Sequence, residues 1–470
     1  MPKAPQPLEI ARGSRNEDPA RDHAKALLEA TGATAMPQPD SAPEGLPSPT
    51  AAASWAASGA MSLMGEATER PRFAAAPLAI AARGAGLAIE MLSKGRVHEA
   101  DWAALLGERA AMVGHVRQGR VSSGGAARLL ETSDEWIAIQ LPRPDDWQLV
   151  PAWLEIDLNS NDFESDPGWM RIADHLRTRT TEDVLNRGRL IGLAVAHAPR
   201  TIQADAPTYQ LHNESESKSI GRRVRVLDLT SLWAGPLATS ILARAGCDVL
   251  KVEAPERPDG ARAGPRDFFD LMNDGKRSVV LDLHSPADRS HFERLLESAD
   301  VVIESARPRA LAQLGYDAES WTTSRAGRLW ASITGYGRDH EWIAFGDDAA
   351  VAAGFAWEPG TPTSPVFCAD AIADPVTGLH AAAAILGFRQ SGRGGLLELA
   401  LRDVIASTAS IDAGPLVAPI ESDGRGGWLL RGEGDEIVPV AAARAREIVG
   451  SAPNLTSPTA ASTHDWCAPC

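Results

Sequence analysis

Between residues 224 and 334 the chain alternates short apolar runs with helical stretches, and no other feature limits the fold as strongly. Residues 224–229 read as a buried strand and Ala234-Gly235-Pro236 as a tight turn. A helix follows over 236–245, since proline is tolerated in a first turn, and Gly246 closes it. Further strands are predicted over 248–253, 278–283, 301–304 and 328–334, with another helix over 286–298. Strands and helices joined by short loops predict a parallel sheet covered on both faces. A ligand of such a sheet binds where loops and helix N-termini meet at the carboxyl ends of the strands.

At 470 residues the chain is too long for one compact core and reads as two domains with irregular ends. Its net charge of -16 argues against nucleic acid, which needs clustered Lys and Arg to neutralise phosphate. No apolar run of about 18 residues appears, and the N-terminus lacks the apolar core of a secretory signal. A cytoplasmic protein with no membrane partner is expected. Residues 1–50 read as a flexible arm with some helix between Ala20 and Ala30, and 213–221 as a polar linker. Between them, 51–212 form a first half with helical spacing over 86–92, 100–112 and 181–189 and a strand over 135–141. The main α/β unit spans 222–450 and loses periodicity after about Ile420; 451–470 read as a loose tail, where Cys467 and Cys470 are two exposed thiols.

One short cassette occurs twice. Ala371-Ile372-Ala373-Asp374 precedes Gly378-Leu379, and Ala79-Ile80-Ala81-Ala82 precedes Gly86-Leu87. A carboxylate in one copy and alanine in the other suggests one live site and one dead one. On its residues alone Asp374 reads as a helix N-cap.

Several motifs stand in a fixed order: Val226-Leu227-Asp228-Leu229-Thr230 with Ala234-Gly235-Pro236, Asp248 to Glu253, Asn273-Asp274-Gly275-Lys276-Arg277, Asp300 to Glu304, Ser332-Ile333-Thr334-Gly335-Tyr336-Gly337, Ile372-Ala373-Asp374 and Ser391-Gly392-Arg393-Gly394. Together residues 222–410 resemble the family III CoA-transferases, also called the CaiB/BaiF family. The resemblance implies an α/β fold with a Rossmann-like parallel sheet and a smaller second domain. It also implies a transferase that moves CoA between an acyl-CoA thioester and a carboxylic acid through an aspartyl anhydride and thioester. Acyl-CoA and a carboxylic acid are then its partners, with no tightly bound cofactor and no metal.

The family's catalytic aspartate lies four residues before a glycine that opens a helix, which Asp374 and Gly378 match; Asp370 ranks second. A carboxylate ionised at neutral pH needs no general base to act as nucleophile. Gly392, Gly394 and Gly395 are oxyanion-donor candidates by position. For CoA binding the resemblance points to Trp233 and Ala234 at the first turn, and to Lys251, Arg262, Lys276, Arg307 and Arg309 as a phosphate rim.

Three positions depart from the family pattern. Gln313 stands for a phosphate-binding arginine, Trp233 for a glutamine, and Phe345-Gly346-Asp347-Asp348 for the Ala-Gly-His-Asp of related racemases. Of two alternatives, an acyl-CoA racemase or isomerase is disfavoured by the missing histidine, and a non-catalytic CoA-binding or scaffold protein is suggested by Gln313 and Trp233. The first half, with Ser58-Gly59, Leu63-Met64-Gly65-Glu66 and Pro71 ahead of Ala82, resembles a degenerate partial copy of the same family. The assembly expected is a self-contained pseudo-dimer or a homodimer.

Overall fold

The computed structural model describes residues 18–34, 50–217, 223–361, 364–432, 436–455 and 466. Much of the expected N-terminal arm, residues 218–222 of the expected linker, and Cys467 and Cys470 lie outside the described residues.

Within that arm, α1 (Pro19–Thr31) is a docked helix. The Asp18 carboxylate accepts from the Ala20 N–H at 3.1 Å, Pro19 fits the first turn, and Gly32 closes the helix at φ +70°. Its Ala24, Leu27 and Leu28 belong to the main core. α2 (Ala51–Ala57) and α3 (Leu78–Leu92) follow, then α4 (Glu108–Val113). Strands β1 (Ala127–Glu131), β2 (Trp136–Gln140) and β3 (Ala194–His197) form an antiparallel sheet. α5 (Pro144–Leu154), α6 (Asp166–Leu176) and α7 (Thr181–Leu190) pack on it around Trp147, Trp153 and Trp169, a core separate from the main one.

The second half supplies β5 (Arg225–Leu229), α8 (Ala234–Arg244), β6 (Asp248–Glu253), α9 (Arg266–Asn273), β7 (Arg277–Val280) and α10 (Pro286–Ser298). It continues with β8 (Val301–Glu304), α11 (Pro308–Gln313), α12 (Ala318–Thr323), β9 (Leu329–Thr334), α13 (Gly346–Ala352), α14 (Ala373–Ser391), β10 (Arg393–Ala400) and α15 (Leu401–Ser407). With β4 (Gln210–Glu216) these strands make one sheet in the order β4-β10-β9-β8-β5-β6-β7. β5 to β10 run parallel; β4 is antiparallel at the edge. β8 and β9 are buried throughout, as a sheet covered on both faces requires.

The chain builds outward from β5 through β6 to β7, then returns to lay β8 against the other side of β5. The order reverses between β5 and β8, and a crevice opens at their carboxyl ends. Across it the Ser231 N–H donates to Ser305 Oγ at 3.2 Å.

Two segments differ from the sequence reading. Asn213 to Glu216, expected in a linker, continue β4; this strand is polar and largely exposed, so hydrogen bonding to β10 forms it and no apolar period marks it. After Ile420 the chain folds into a small antiparallel sheet of β11 (Ile420–Ser422), β12 (Trp428–Arg431) and β13 (Ile437–Pro439). Among the described residues no helix is long and apolar enough to cross a membrane.

α14 is the central helix, packed against α1, α3 and α8. Gly378 lies inside α14 and does not open it: α14 begins at Ala373. A Cβ at 378 would stand 2.7 Å from the Ala234 carbonyl oxygen and 3.0 Å from Leu237. Gly378→Ala should therefore force α8 and α14 apart and cost about 1–3 kcal/mol, read as a lower denaturation midpoint. An unchanged midpoint would mean that the two helices can slide.

α2 and α3 begin at 51 and 78, and α13 and α14 at 346 and 373, a constant offset of 295 (346 − 51 and 373 − 78). Gly59 and Gly65 have φ of +87° and +116°, and the same offset lands on Gly354 and Gly360, at +96° and +72°. In this register Ala79 stands opposite Asp374. Ala82 falls a turn later, opposite Thr377, so it does not occupy the aspartate's place. The sequence cassettes are out of step because α3 starts directly after Pro77, before its cassette begins.

Candidate active site

Two strained loops meet at the crevice. Leu232, after β5, has φ +71°, and Ala369 and Ala371, before α14, have +56° and +44°. Left-handed backbone costs a side-chain-bearing residue of order 1 kcal/mol and persists only where its surroundings hold it. Under the first loop lies a buried ion network. Asp228 accepts from the Thr230 N–H and hydroxyl at 2.9 and 2.6 Å, from the Thr239 hydroxyl at 2.6 Å and from Lys276 Nζ at 3.1 Å. Lys251 donates to the Thr230 carbonyl at 2.7 Å and pairs with Asp259 at 2.9 Å, and Asp259 accepts from the Leu232 N–H at 2.8 Å. The second loop is held by the Ser123 hydroxyl on the Ala369 carbonyl at 3.0 Å and by Asp347 Oδ1 on the Ala371 N–H at 2.9 Å.

Arg109 of α4 joins the loops. Its Nε and Nη2 donate to the two oxygens of Asp370 at 2.9 and 2.6 Å, and its guanidinium stands 4.9 Å from the Trp233 ring centroid. His115 Nδ1 lies 3.4 Å from Asp370 Oδ1. Asp374, in the first turn of α14, is half-buried and accepts from the Gly346 N–H at the start of α13. Asp347 and Asp348 follow on α13, where Asp348 accepts from the Phe345 N–H at 2.7 Å.

Buried Asp347, Asp348 and Asp370 thus crowd half-buried Asp374, and Arg109, which acts on Asp347, Asp370 and Asp374, helps to separate their ionisation. Burial pushes Asp370 upward, but the Arg109 charge and hydrogen bonds outweigh it and bring its pKa to about 2. Asp374 rises to about 7, by burial first, with Arg109 opposing and Asp347 and Asp370 adding repulsion. Asp347 rises to about 6 through burial and the Asp370 charge, and burial lifts Asp348 well above the ordinary range. Burial disfavours the Arg109 charge, yet Asp370, Asp347 and Asp374 together hold it protonated. The sequence expectation of a freely ionised Asp374 is therefore corrected. With a pKa near 7 it is present in both forms at neutral pH, because the second loop and α13 crowd it away from much of the water.

Beside this cluster lies a cleft of about 390 Å³ between the halves, walled by the end of α7 and by Arg307, Arg309, Glu341 and Trp342. Arg189 of α7 stacks 3.9 Å from the Trp342 ring centroid. Partial burial, then the neighbouring cations Arg143, Arg257 and Arg309, press the Arg307 pKa downward. A knot of like charge on an acidic chain calls for an anion. Tyr336 links cleft and cluster, lying under Arg189 and within the field of Asp348.

The sequence profile that residues 222–421 match is that of CoA-transferase family III. The likeness to that family is confined to residues 222–421. The succinate–glutarate CoA-transferase of Agrobacterium fabrum is 36% identical over 202 residues, 38% of this chain and 50% of that protein. The formyl-CoA:oxalate CoA-transferase of Escherichia coli is 28% identical over 203 residues, 40% of this chain and 49% of that protein. A solved CaiB/BaiF family protein from Brucella suis is 29% identical over 42% of this chain and 56% of its own, with a TM-score of 0.37. The chain spans about half the length of the curated relatives it matches.

Within the family III segment the expected site residues divide. Trp233 lies buried at the Asp374 cluster, under Arg109 and edge-on to Phe268. Ala234 is the first residue of α8, with its carbonyl against Gly378. Arg307 and Arg309 line the cleft, where Arg309 pairs with Glu341 at 3.1 Å. Lys251, Lys276 and Arg262 are corrected as phosphate ligands. The two lysines are buried in the network beneath Leu232, and Arg262 is clamped on Glu253 at 2.8 and 2.6 Å and lies over Phe269. Their charges balance internal carboxylates and build the turn that presents Trp233.

Gly392, Gly394 and Gly395 are corrected as oxyanion donors. Gly392 caps the far end of α14, about 27 Å from Asp374 at 1.5 Å per residue, and the other two begin β10. The backbone donor at Asp374 is Gly346. Arg109 and Arg189 carry no sequence mark, since each is one arginine on a helix of the first half. Asp347 and Asp348 were visible as adjacent acids but read only as a missing histidine.

Proposed function

We propose that the protein is a CoA-transferase with Asp374 as covalent carrier. The observation that carries this reading is a half-buried carboxylate at the strained start of α14, within the segment that matches family III, whose charge is compensated at one remove by Arg109. Asp374 attacks the acyl-CoA carbonyl, the C–S bond breaks, and CoA leaves as thiolate from a mixed anhydride. The thiolate attacks the aspartyl carbonyl, releasing the first carboxylate and leaving an aspartyl thioester. The acceptor carboxylate attacks that thioester to give a second anhydride and thiolate again. Attack of the thiolate on the acceptor carbonyl forms the new acyl-CoA and frees Asp374. Each step exchanges one acyl bond for another, so no ATP is needed, and the buried site keeps water from the anhydrides.

In this reading the Arg189, Arg307 and Arg309 cleft takes the phosphate end of CoA. Arg307→Glu with Arg309→Glu should weaken CoA binding at least about tenfold, measured by calorimetry, and flatten its salt dependence. Unchanged affinity would remove the cleft from the assignment. The test of the whole reading incubates the protein with succinyl-CoA and glutarate, or formyl-CoA and oxalate, and adds hydroxylamine. Mass spectrometry should find a hydroxamate on the Asp374 peptide. Neither adduct nor CoA exchange with either pair, or with a wider acyl-CoA panel, would leave the scaffold reading.

One observation favours a second reading. Asp347 stands where related racemases carry histidine, and it and Asp374 have pKa values raised to about 6 and 7. Two such acids could exchange the α-proton of an acyl-CoA between them. Deuterium uptake from solvent into the acyl α-carbon, lost in Asp347→Asn, would support racemase chemistry; transfer without uptake would exclude it.

A further inference from the structure

Arg109 lies on α4, outside the family III segment, yet it is built into the Asp374 cluster. We infer that Arg109, clamped by Asp370, is a positioning residue through which the first half of the chain sets the charge of Asp374. The inference rests on reading Asp374 as the carrier. Its geometry is a two-point grip on Asp370 at 2.9 and 2.6 Å, with the guanidinium packed over Trp233. The clamp places a fixed cation near Asp374 without engaging the attacking oxygens. A carboxylate bonded directly to an arginine has its lone pairs occupied, whereas one held at a remove keeps them free and still gains the field.

The charged and titratable groups facing Asp374 are Asp347 and Asp348 from α13, Asp370 from the adjoining loop, and Arg109 from α4; His115, after α4, faces Asp370. The offset of 295 relates Asp347, Asp348, Asp370 and Asp374 to Ala52, Ala53, Ala75 and Ala79 (347 − 295, 348 − 295, 370 − 295, 374 − 295). The first half holds no acid at any of these places. All four acids of the site come from the second half, and the cation that orders them comes from the first.

The test measures the pH at which Asp374 ionises, as the difference in thermal stability between the unaltered protein and Asp374→Asn from pH 5 to 9. The same difference is taken in Arg109→Gln, Arg109→Lys and Asp370→Asn backgrounds. The inflection should lie near pH 7 in the unaltered background and at least one pH unit higher with Arg109→Gln. With Asp370→Asn it should fall, since a repelling charge is removed and Arg109 is freed. Arg109→Lys, which keeps the charge, should restore most of the shift. An inflection unmoved by Arg109→Gln, or moved upward by Asp370→Asn as well, would overturn the inference. Because no substrate enters the measurement, shifted inflections without a hydroxamate would refute the carrier reading and leave the coupling standing.

Discussion

Replacing Asp374 with asparagine should lower acyl transfer by at least about 10³-fold and, at pH 8, make the protein more stable by about 2 kcal/mol. Asparagine keeps the side-chain oxygen that accepts from Gly346 but cannot attack a thioester. The stability change follows from the direction of the pKa shift. The folded pKa of about 7 is far above that of an aspartate in the unfolded chain, near 3.9, so folding favours the protonated acid. That contribution is complete below about pH 4 and is lost as pH rises through 7. Asp347, raised to about 6, acts in the same sense. Asp374→Asn should therefore match the unaltered protein at pH 4, draw ahead between pH 5 and 8, and show no acid limb in its residual activity. Calorimetric melts across that range check the first part, and exchange of labelled CoA checks the second. A variant less stable at pH 8 would mean that Asp374 is ionised and paired in the resting site. A site that costs stability where it is needed is expected of chemistry held in strained, dry surroundings.

The second large effect lies beneath the site. Lys276→Met should destabilise the protein by about 3–5 kcal/mol, because it strands the Asp228 carboxylate, which has no exposure to water. Burial opposes the charge of Asp228, but Lys276, Lys251 and two threonine hydroxyls bring its pKa down to about 2. Lys276, by the same burial, falls to about 8 despite Asp228. The double variant Lys276→Met with Asp228→Asn should recover much of the loss, since neither charge is then left alone. Urea unfolding of the single and double variants measures this. A phosphate-binding lysine would behave otherwise, with little effect on stability and a large one on CoA affinity.

The parallel sheet was legible because β5, β6, β8 and β9 are short segments rich in Val, Leu and Ile separated by helix signals, and Asp374 because the ordered motifs pointed to it. The position of the lysines misled. Lys251 lies within β6 and Lys276 just before β7, but one sequence cannot say whether such a charge faces inward to Asp259 and Asp228 or outward to a ligand. Arg109 was illegible for a different reason. It meets Asp370 across 261 positions of sequence, and nothing local announces a partner so remote. The ionisation of Asp374 was misjudged likewise, since its crowding by α13 is a tertiary fact that no reference pKa contains.

The polar strand β4 bears on how the two halves can be separated. A fragment starting at residue 222, where the family match begins, would lack β4 and leave β10 with a row of unpaired N–H and C=O groups on its outer side. The apparent joint is a seam: the first half lends the second its closing edge, as it also lends it Arg109. A protease cut, an inserted tag or a truncation at that seam should yield a sticky sheet that joins other copies edge to edge, whereas the same change in an exposed turn such as Asp423–Gly427 should leave the body closed.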